Sequence, residues 1–282
     1  MLASLSQKRS CTWLKITVTV CLFLSSNLII GQKEIKNTFG KGIRTISKDS
    51  TYYVKTSFRV QNRYDGQMSF SRNADNQLES TSDYFDRFYI KRGRLKFDGW
   101  VLDPKLVYKV EFDIVGGFVR DAIVKWNFYK NLSVWYGLGK LPGNHERVVS
   151  SQKLQFVDRS ILNNAYNIDR DNGVHFRHHF SSGNVLFREA LVISHGSGIN
   201  DKAYTDGQAY TARLEILPLG KFTKKGEMYY SDLERERTPK IMFGFTANYN
   251  ENARRSKSII GDVISDSATK KAPISSEIER PR

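Results

Sequence analysis

Cysteine is nearly absent from this chain. Its two cysteines, Cys11 and Cys21, both precede Ile30, inside a segment that reads as a leader, so no disulfide framework and no thiolate metal site is open to the remainder of the chain. Long apolar runs are missing too. Beyond the leader no stretch stays apolar for the roughly 18 residues that a membrane-crossing helix requires. Acidic residues are scarce relative to basic ones, 29 against 44, giving a formal net charge of +15. That excess excludes an acidic, cation-buffering protein and attracts anions of any kind, without choosing among phosphate, acidic glycans, nucleic acid or lipid head groups.

Lys8, Arg9 and Lys15 precede an uncharged, mostly apolar run from Ile16 to Ile30 that closes at Gly31 and Gln32. A basic flank, an apolar centre and a small, polar close mark a secretory signal peptide. The run is interrupted by Thr, Ser and Asn and falls short of the ~20 residues of a spanning helix. The expected organisation is a signal peptide over 1–31, a periplasmic lead-in over 32–50, a β domain over 51–250 and a polar tail over 251–282.

Aromatic residues make up 12% of the chain, and the apolar signal is carried by alternation rather than by a helical period, which predicts an all-β fold. Strands are expected near 52–64, 87–101, 106–114, 120–128, 132–140, 172–180, 185–195, 209–217 and 240–249, with a weaker one at 225–231. The connections 102–105, 129–131 and 181–184 are brief, whereas 65–86, 115–119, 141–171, 196–208 and 232–239 are longer. Short turns on one side and longer loops on the other are the pattern of an outer-membrane barrel, whose strands alternate apolar toward lipid and polar toward water. A soluble β-sandwich would show the same alternation, with its apolar faces enclosed.

The stretch "RLKFDGWVLDPKLVYKVEFDI", residues 94–114, makes a sharper statement. Closing a hairpin with Val101 opposite Leu106 sets Asp98 against Lys109, Lys96 against Glu111 and Arg94 against Asp113, all complementary. The other face then pairs Gly99 with Tyr108, Phe97 with Val110 and Leu95 with Phe112. Slipping one strand by two residues opposes Asp98 to Glu111, so at ~0.2–1 kcal/mol per cross-strand pair the first register is preferred. The charged faces carry Lys55, Arg59, Arg63, Arg92, Arg94, Lys96, Lys109 and Lys125, and a wall rich in such side chains favours anions. With Arg94 and Lys96 partly neutralised across the hairpin, Arg92, Arg59, Arg63, Lys55 and Lys125 are expected to be the freer charges.

Other motifs carry little. Glu111 and Asp113 share a face but have cationic partners, which explains them without acid–base chemistry. His175, Arg177 and His179 of "HFRHH" alternate onto one side, where an arginine between two histidines suits a basic lining better than a metal. "GLGKLPG" lacks the ending and the following helix of a phosphate loop. No nucleophile, metal or cofactor signature remains, so the chain is expected to be neither an enzyme nor a cofactor carrier, with no nucleic-acid partner.

The connection 141–171 exceeds what a turn needs, and long loops usually have a function. It mixes Leu154, Phe156, Val157 and Ile161 with Lys153, Arg159 and Arg170, a composition expected to pack inside a barrel and narrow it.

Four segments, "RGRLKFDGWVLDPKLVYKVEFD" (92–113), "SSQKLQFVDRSILNNAYNIDRDNGV" (150–174), "ARLEILPLG" (212–220) and "DLERERTPKIMFGFTANYNENA" (232–253), resemble the phosphate-selective porins of the O and P type. The resemblance implies a trimeric antiparallel transmembrane β-barrel of about sixteen strands in the bacterial outer membrane, in contact with its lipid and passing small anions such as phosphate. It further implies basic wall positions at Arg92, Arg94 and Lys96. A constriction loop is implied at Phe156, Val157, Asp158, Arg159 and Ser160, to which Arg170 is added as the loop's last basic residue. About ten strands are legible here and no aromatic residue follows Tyr249, so the chain is expected to hold the N-terminal part of such a barrel. A secreted β-rich protein that binds polyanions on a basic face is the alternative from another class.

Overall fold

The computed structural model describes residues 32–33, 40–201, 207–251 and 253–264. The expected signal peptide lies outside them. Strand makes up 57% of the structure and helix 7%, so the fold is all-β and its strands are antiparallel. The chain divides into two compact units, Met1–Asn127 and Phe128–Arg282.

In the first unit β1 (Gln32–Lys33), β2 (Ile43–Ser47), β3 (Tyr52–Arg72), β4 (Leu78–Val101), β5 (Asp103–Asp113) and β6 (Phe118–Tyr129) pair in chain order. In the second, β7 (Leu132–Lys140), β8 (Arg170–Ser182), β9 (Val185–Ser194), β10 (Ala209–Leu217) and β11 (Phe243–Asn250) do the same. Among the described residues no closed barrel is found, so what the structure shows of the barrel expectation is a meander of consecutive antiparallel strands.

The 94–113 hairpin forms in the expected register from Arg94↔Asp113 to Gly99↔Tyr108. It differs at its tip, where Val101 pairs with Asp103 after a register shift and the turn tightens onto Leu102, at φ 64°. Asp103 holds that turn by accepting the Lys105 amide at 2.7 Å. Gly99 is required there because a Cβ would collide with the Tyr53 carbonyl of β3.

Three segments depart from expectation. Residues 65–86 are not a loop, since β3 and β4 continue as a ribbon to a turn between Arg72 and Leu78; the Asn73 side chain accepts the Asp75 and Gln77 amides and closes that turn. The weak strand at 225–231 is replaced by a tight 3₁₀ segment, Thr223–Met228, in which Lys224 and Lys225 adopt positive φ. The start of the polar tail folds into a hairpin of β12 (Arg255–Lys257) and β13 (Ile260–Val263), anchored where Arg255 donates to the Ser197 carbonyl at 2.8 Å and pairs with Asp201 at 3.0 Å. The lead-in likewise contributes β2, paired with β3.

The buried apolar cluster is Leu141, Ile168, Val192, Ala209 and Ile259. It forms in the second unit, where the two ends of the long loop and the tail hairpin cover β9 and β10. The apolar faces of the strands are open instead. Phe58 is 65% exposed, Phe88 81% and Trp126 57%, and in the second unit Phe245 is 62% exposed.

Candidate functional site

Four strands build the charged face of the first unit. On β3, Lys55, Ser57, Arg59 and Gln61 oppose Asp98, Lys96, Arg94 and Arg92 of β4. Beyond β4, Lys109, Glu111 and Asp113 of β5 oppose Asp98, Lys96 and Arg94, and Asp121 of β6 opposes Glu111. Lysines and arginines thus gather mainly on β3 and β4 and carboxylates mainly on β5 and β6. Asp113 and Asp121 are buried, and the other charged members are half-buried, the reverse of a soluble sheet with its apolar side sheltered.

The hairpin's complementary register does not translate into three direct ion pairs. Arg94 does meet Asp113. Lys96, however, binds Asp98 at 2.7 Å on its own strand, and Lys109 reaches Asp121 at 2.7 Å and Glu111 at 3.4 Å. The cause is β6, which supplies a closer carboxylate to Lys109 and frees Asp98 for Lys96. Arg94 also lies 3.9 Å from Glu111, and Arg120 lies 3.8 Å from both Glu111 and Asp113. Arg59 directly opposes Arg94, and like charges in that position are destabilising. Glu111 and Asp113 on the next strand are what make the crowding tolerable.

Of the expected freer charges, Arg63 is ion-paired with Asp65, which also accepts the Tyr89 hydroxyl at 2.9 Å and pairs with Arg87 at 3.3 Å. Arg92 donates to Gln61 at 2.7 Å. Lys55 and Lys125 are half-buried on the same face. Arg120 was missed by sequence reading. It belongs to this group through a register shift beside Glu111, and the adjacent charges Arg120 and Asp121 in an alternating strand are the signal that could have revealed it. A second shift, at Gln61/Asn62, leaves Lys91 as an extra residue and returns Phe88 and Ile90 to the apolar side.

In the second unit the long loop carries α1 (His145–Val148) and α2 (Ile161–Tyr166). Its buried parts are mainly its ends, Leu141 to Gly143, Val149 and Ile168 to Arg170, with Asn163 of α2 buried between them. Its apolar centre was expected to be packed and is not. Phe156 is 76% exposed, and Val157 and Asp158 beside it are exposed too. Arg159 is committed to the loop itself, donating to the carbonyls of Glu146 and Val149 at 3.0 Å each. Ser160 caps α2 and binds Glu146 through its amide at 2.6 Å. Arg170 is buried against Asp169 at 2.7 Å. Of the six loop positions, then, Phe156, Val157 and Asp158 face outward from the loop, while Arg159, Ser160 and Arg170 hold it together.

The sheltered face of this unit aligns Ser133, Arg177, Ala190, Arg213 and Thr246 in one cross-strand row. His175 is fully buried and Arg177 lies over the Trp135 ring at 4.3 Å. Among the described residues no group of His, Cys, Asp and Glu could hold a metal ion. No helix among them is long and apolar enough to cross a membrane, which says nothing of strands. No protein-family model matches the chain, and no curated protein matches it.

Proposed function

We propose that this chain forms part of the wall of a passive, anion-preferring channel in the bacterial outer membrane, with phosphate and polyphosphate among its solutes. The observation that carries the reading is the inversion of its strands: large apolar side chains such as Phe58, Phe88, Trp126 and Phe245 are exposed, whereas the charged faces are sheltered. In water such a sheet would leave an extended apolar surface bare. In a bilayer the same sheet turns that surface to lipid and its charges to an aqueous lumen. Anion preference is supported by the gathering of Lys55, Arg59, Arg92, Arg94 and Lys96 on two neighbouring strands, since a basic lining favours anion passage. The resemblance of the segments at 92–113 and 150–174 to phosphate-selective porins supports the same reading and adds a homotrimer to it.

The test is conduction. Within a completed barrel reconstituted in a planar bilayer across a salt gradient, this wall should give a zero-current potential of anion-preferring sign. Arg59→Glu combined with Arg92→Glu should move that potential toward cations. Absence of conduction would overturn the channel reading. Conduction with an unmoved potential would remove these two arginines from the ion path.

A further inference from the structure

We propose that the long loop between β7 and β8 is held against the sheltered face of the second unit by a closed ring of polar contacts, and that His145 makes this attachment acid-labile. The ring starts on the loop at the Gly143 carbonyl, which accepts from Arg213 Nη1 at 2.6 Å. Arg213 Nε donates to Glu215 at 2.8 Å, and Glu215 pairs with Arg188 at 3.4 Å. Arg188 binds the Glu227 carboxylate at 2.7 Å, and the Glu227 carbonyl returns to the loop by accepting from His145 Nε2 at 2.8 Å. Thr246 reinforces the first contact, its hydroxyl 3.2 Å from the Gly143 carbonyl and 3.0 Å from Arg213 Nη1. The far side of the loop meets the segment after the 3₁₀ turn, where the Tyr230 amide donates to the Lys153 carbonyl at 3.0 Å and Lys153 lies 3.9 Å above the Tyr229 ring.

The Nε2–H contact to the Glu227 carbonyl is made by the neutral imidazole and by the imidazolium alike, and the two states differ at Nδ1. With Nε2 donating to a carbonyl, the neutral imidazole leaves Nδ1 bare, and Nδ1 is buried without a hydrogen-bond partner. Protonation would add an N–H at that point with nothing to receive it, at the cost of an unsatisfied buried donor. The charged groups that face the ring are Arg213 and Glu215 from β10 and Glu227 from the 3₁₀ segment, with Tyr230 stacked beside it at 6.1 Å between centroids. Both carboxylates are already bound to arginines. Burial, and then the Arg213 charge, hold the imidazole below its ordinary 6.5 against the Glu227 carbonyl and the two carboxylates. A folded value below the unfolded one means that the attachment is at full strength above about pH 6.5 and weakens as pH falls from there toward the folded value.

Hydrogen exchange of the full chain in detergent or bilayer, corrected for intrinsic rates, reads the attachment without reference to conduction, so its outcome is separate from that of the channel reading. Between pH 7.5 and pH 5, protection over residues 143–167 should fall at least twofold while β8 to β10 stay unchanged. His145→Gln, whose amide can still donate to the Glu227 carbonyl, should keep the loop protected at both pH values. Protection that persists in the parent protein at pH 5, or an equal loss in His145→Gln, would overturn the proposal. Should His145→Gln fail to fold, an imidazole titration of His145 in the parent protein decides it: a midpoint below 6.5 supports it, and one at or above 6.5 overturns it.

Discussion

At the scale of single residues, charge type and face were legible in the sequence, but partner choice was not. Lys109 illustrates why. Its cross-strand neighbour Asp98 follows from hairpin register, yet its ammonium goes to Asp121 at 2.7 Å, a residue brought near by a different strand and by a register shift that leaves no mark in a two-strand argument. Asp121 is 2% exposed, so removing the ammonium from beside it should be costly. Lys109→Met is expected to lower unfolding stability in detergent by about 1–3 kcal/mol, the range for stripping a partner from a buried polar group. Adding Asp121→Asn should recover part of that loss. Equal denaturation midpoints for the parent protein and Lys109→Met would mean that this carboxylate does not depend on Lys109.

At the scale of elements, most strand positions and the body of one register, from Arg94↔Asp113 to Gly99↔Tyr108, could be read because alternation and charge complementarity agreed, and two independent constraints leave little freedom. Where only one operated, reading failed. The ribbon of β3 and β4 beyond Arg63 and Arg87 has Gly66, Asn73, Asp75 and Asn76 scattered through it, which read as loop chemistry, and only the run of cross-strand pairs out to Arg72↔Leu78 shows that it continues. The long loop was recognisable by length, but its apolar centre misled: burial went to its ends, which are tied to β10 and β11 by contacts 70 or more residues apart in sequence. The hairpin itself allows a discriminating test. Arg94 bonds directly to Asp113 across the strands, whereas Lys96 turns to Asp98 and away from Glu111. A double-mutant cycle on Arg94→Met and Asp113→Asn should therefore show coupling of about 1 kcal/mol or more. The equivalent cycle on Lys96→Met and Glu111→Gln should stay within about 0.3 kcal/mol. Equal coupling in the two cycles would mean that Lys96, like Arg94, follows the cross-strand register to its partner and not the contact with Asp98 on its own strand.

At the scale of the whole molecule, the question is which medium the apolar side chains meet, and that depends on their collective exposure more than on any one of them. Sequence alternation alone favoured a membrane wall without excluding a soluble sandwich, because both cover one face. The difference is what covers that face, and Phe58, Phe88, Trp126 and Phe245 are each 57% or more exposed. Tryptophan offers a direct probe, since each kind of face carries at least one. Trp126 stands on the exposed apolar side at 57% exposure. Trp135 lies on the opposite kind of face, its indole N–H donating to Ser133 at 3.0 Å and its ring beneath Arg177 at 4.3 Å. In single-tryptophan proteins reconstituted with phospholipids brominated along their acyl chains, Trp126 emission should be quenched at least roughly twofold, as expected for a lipid-facing strand position. Trp135 should respond little, and an aqueous quencher such as iodide should reverse the order, because on the proposed reading that face lines water open to small anions. If Trp126 were untouched by brominated acyl chains and both residues answered only to iodide, the apolar face would lie in water or against another protein, and the membrane-wall reading would fail together with the channel built on it.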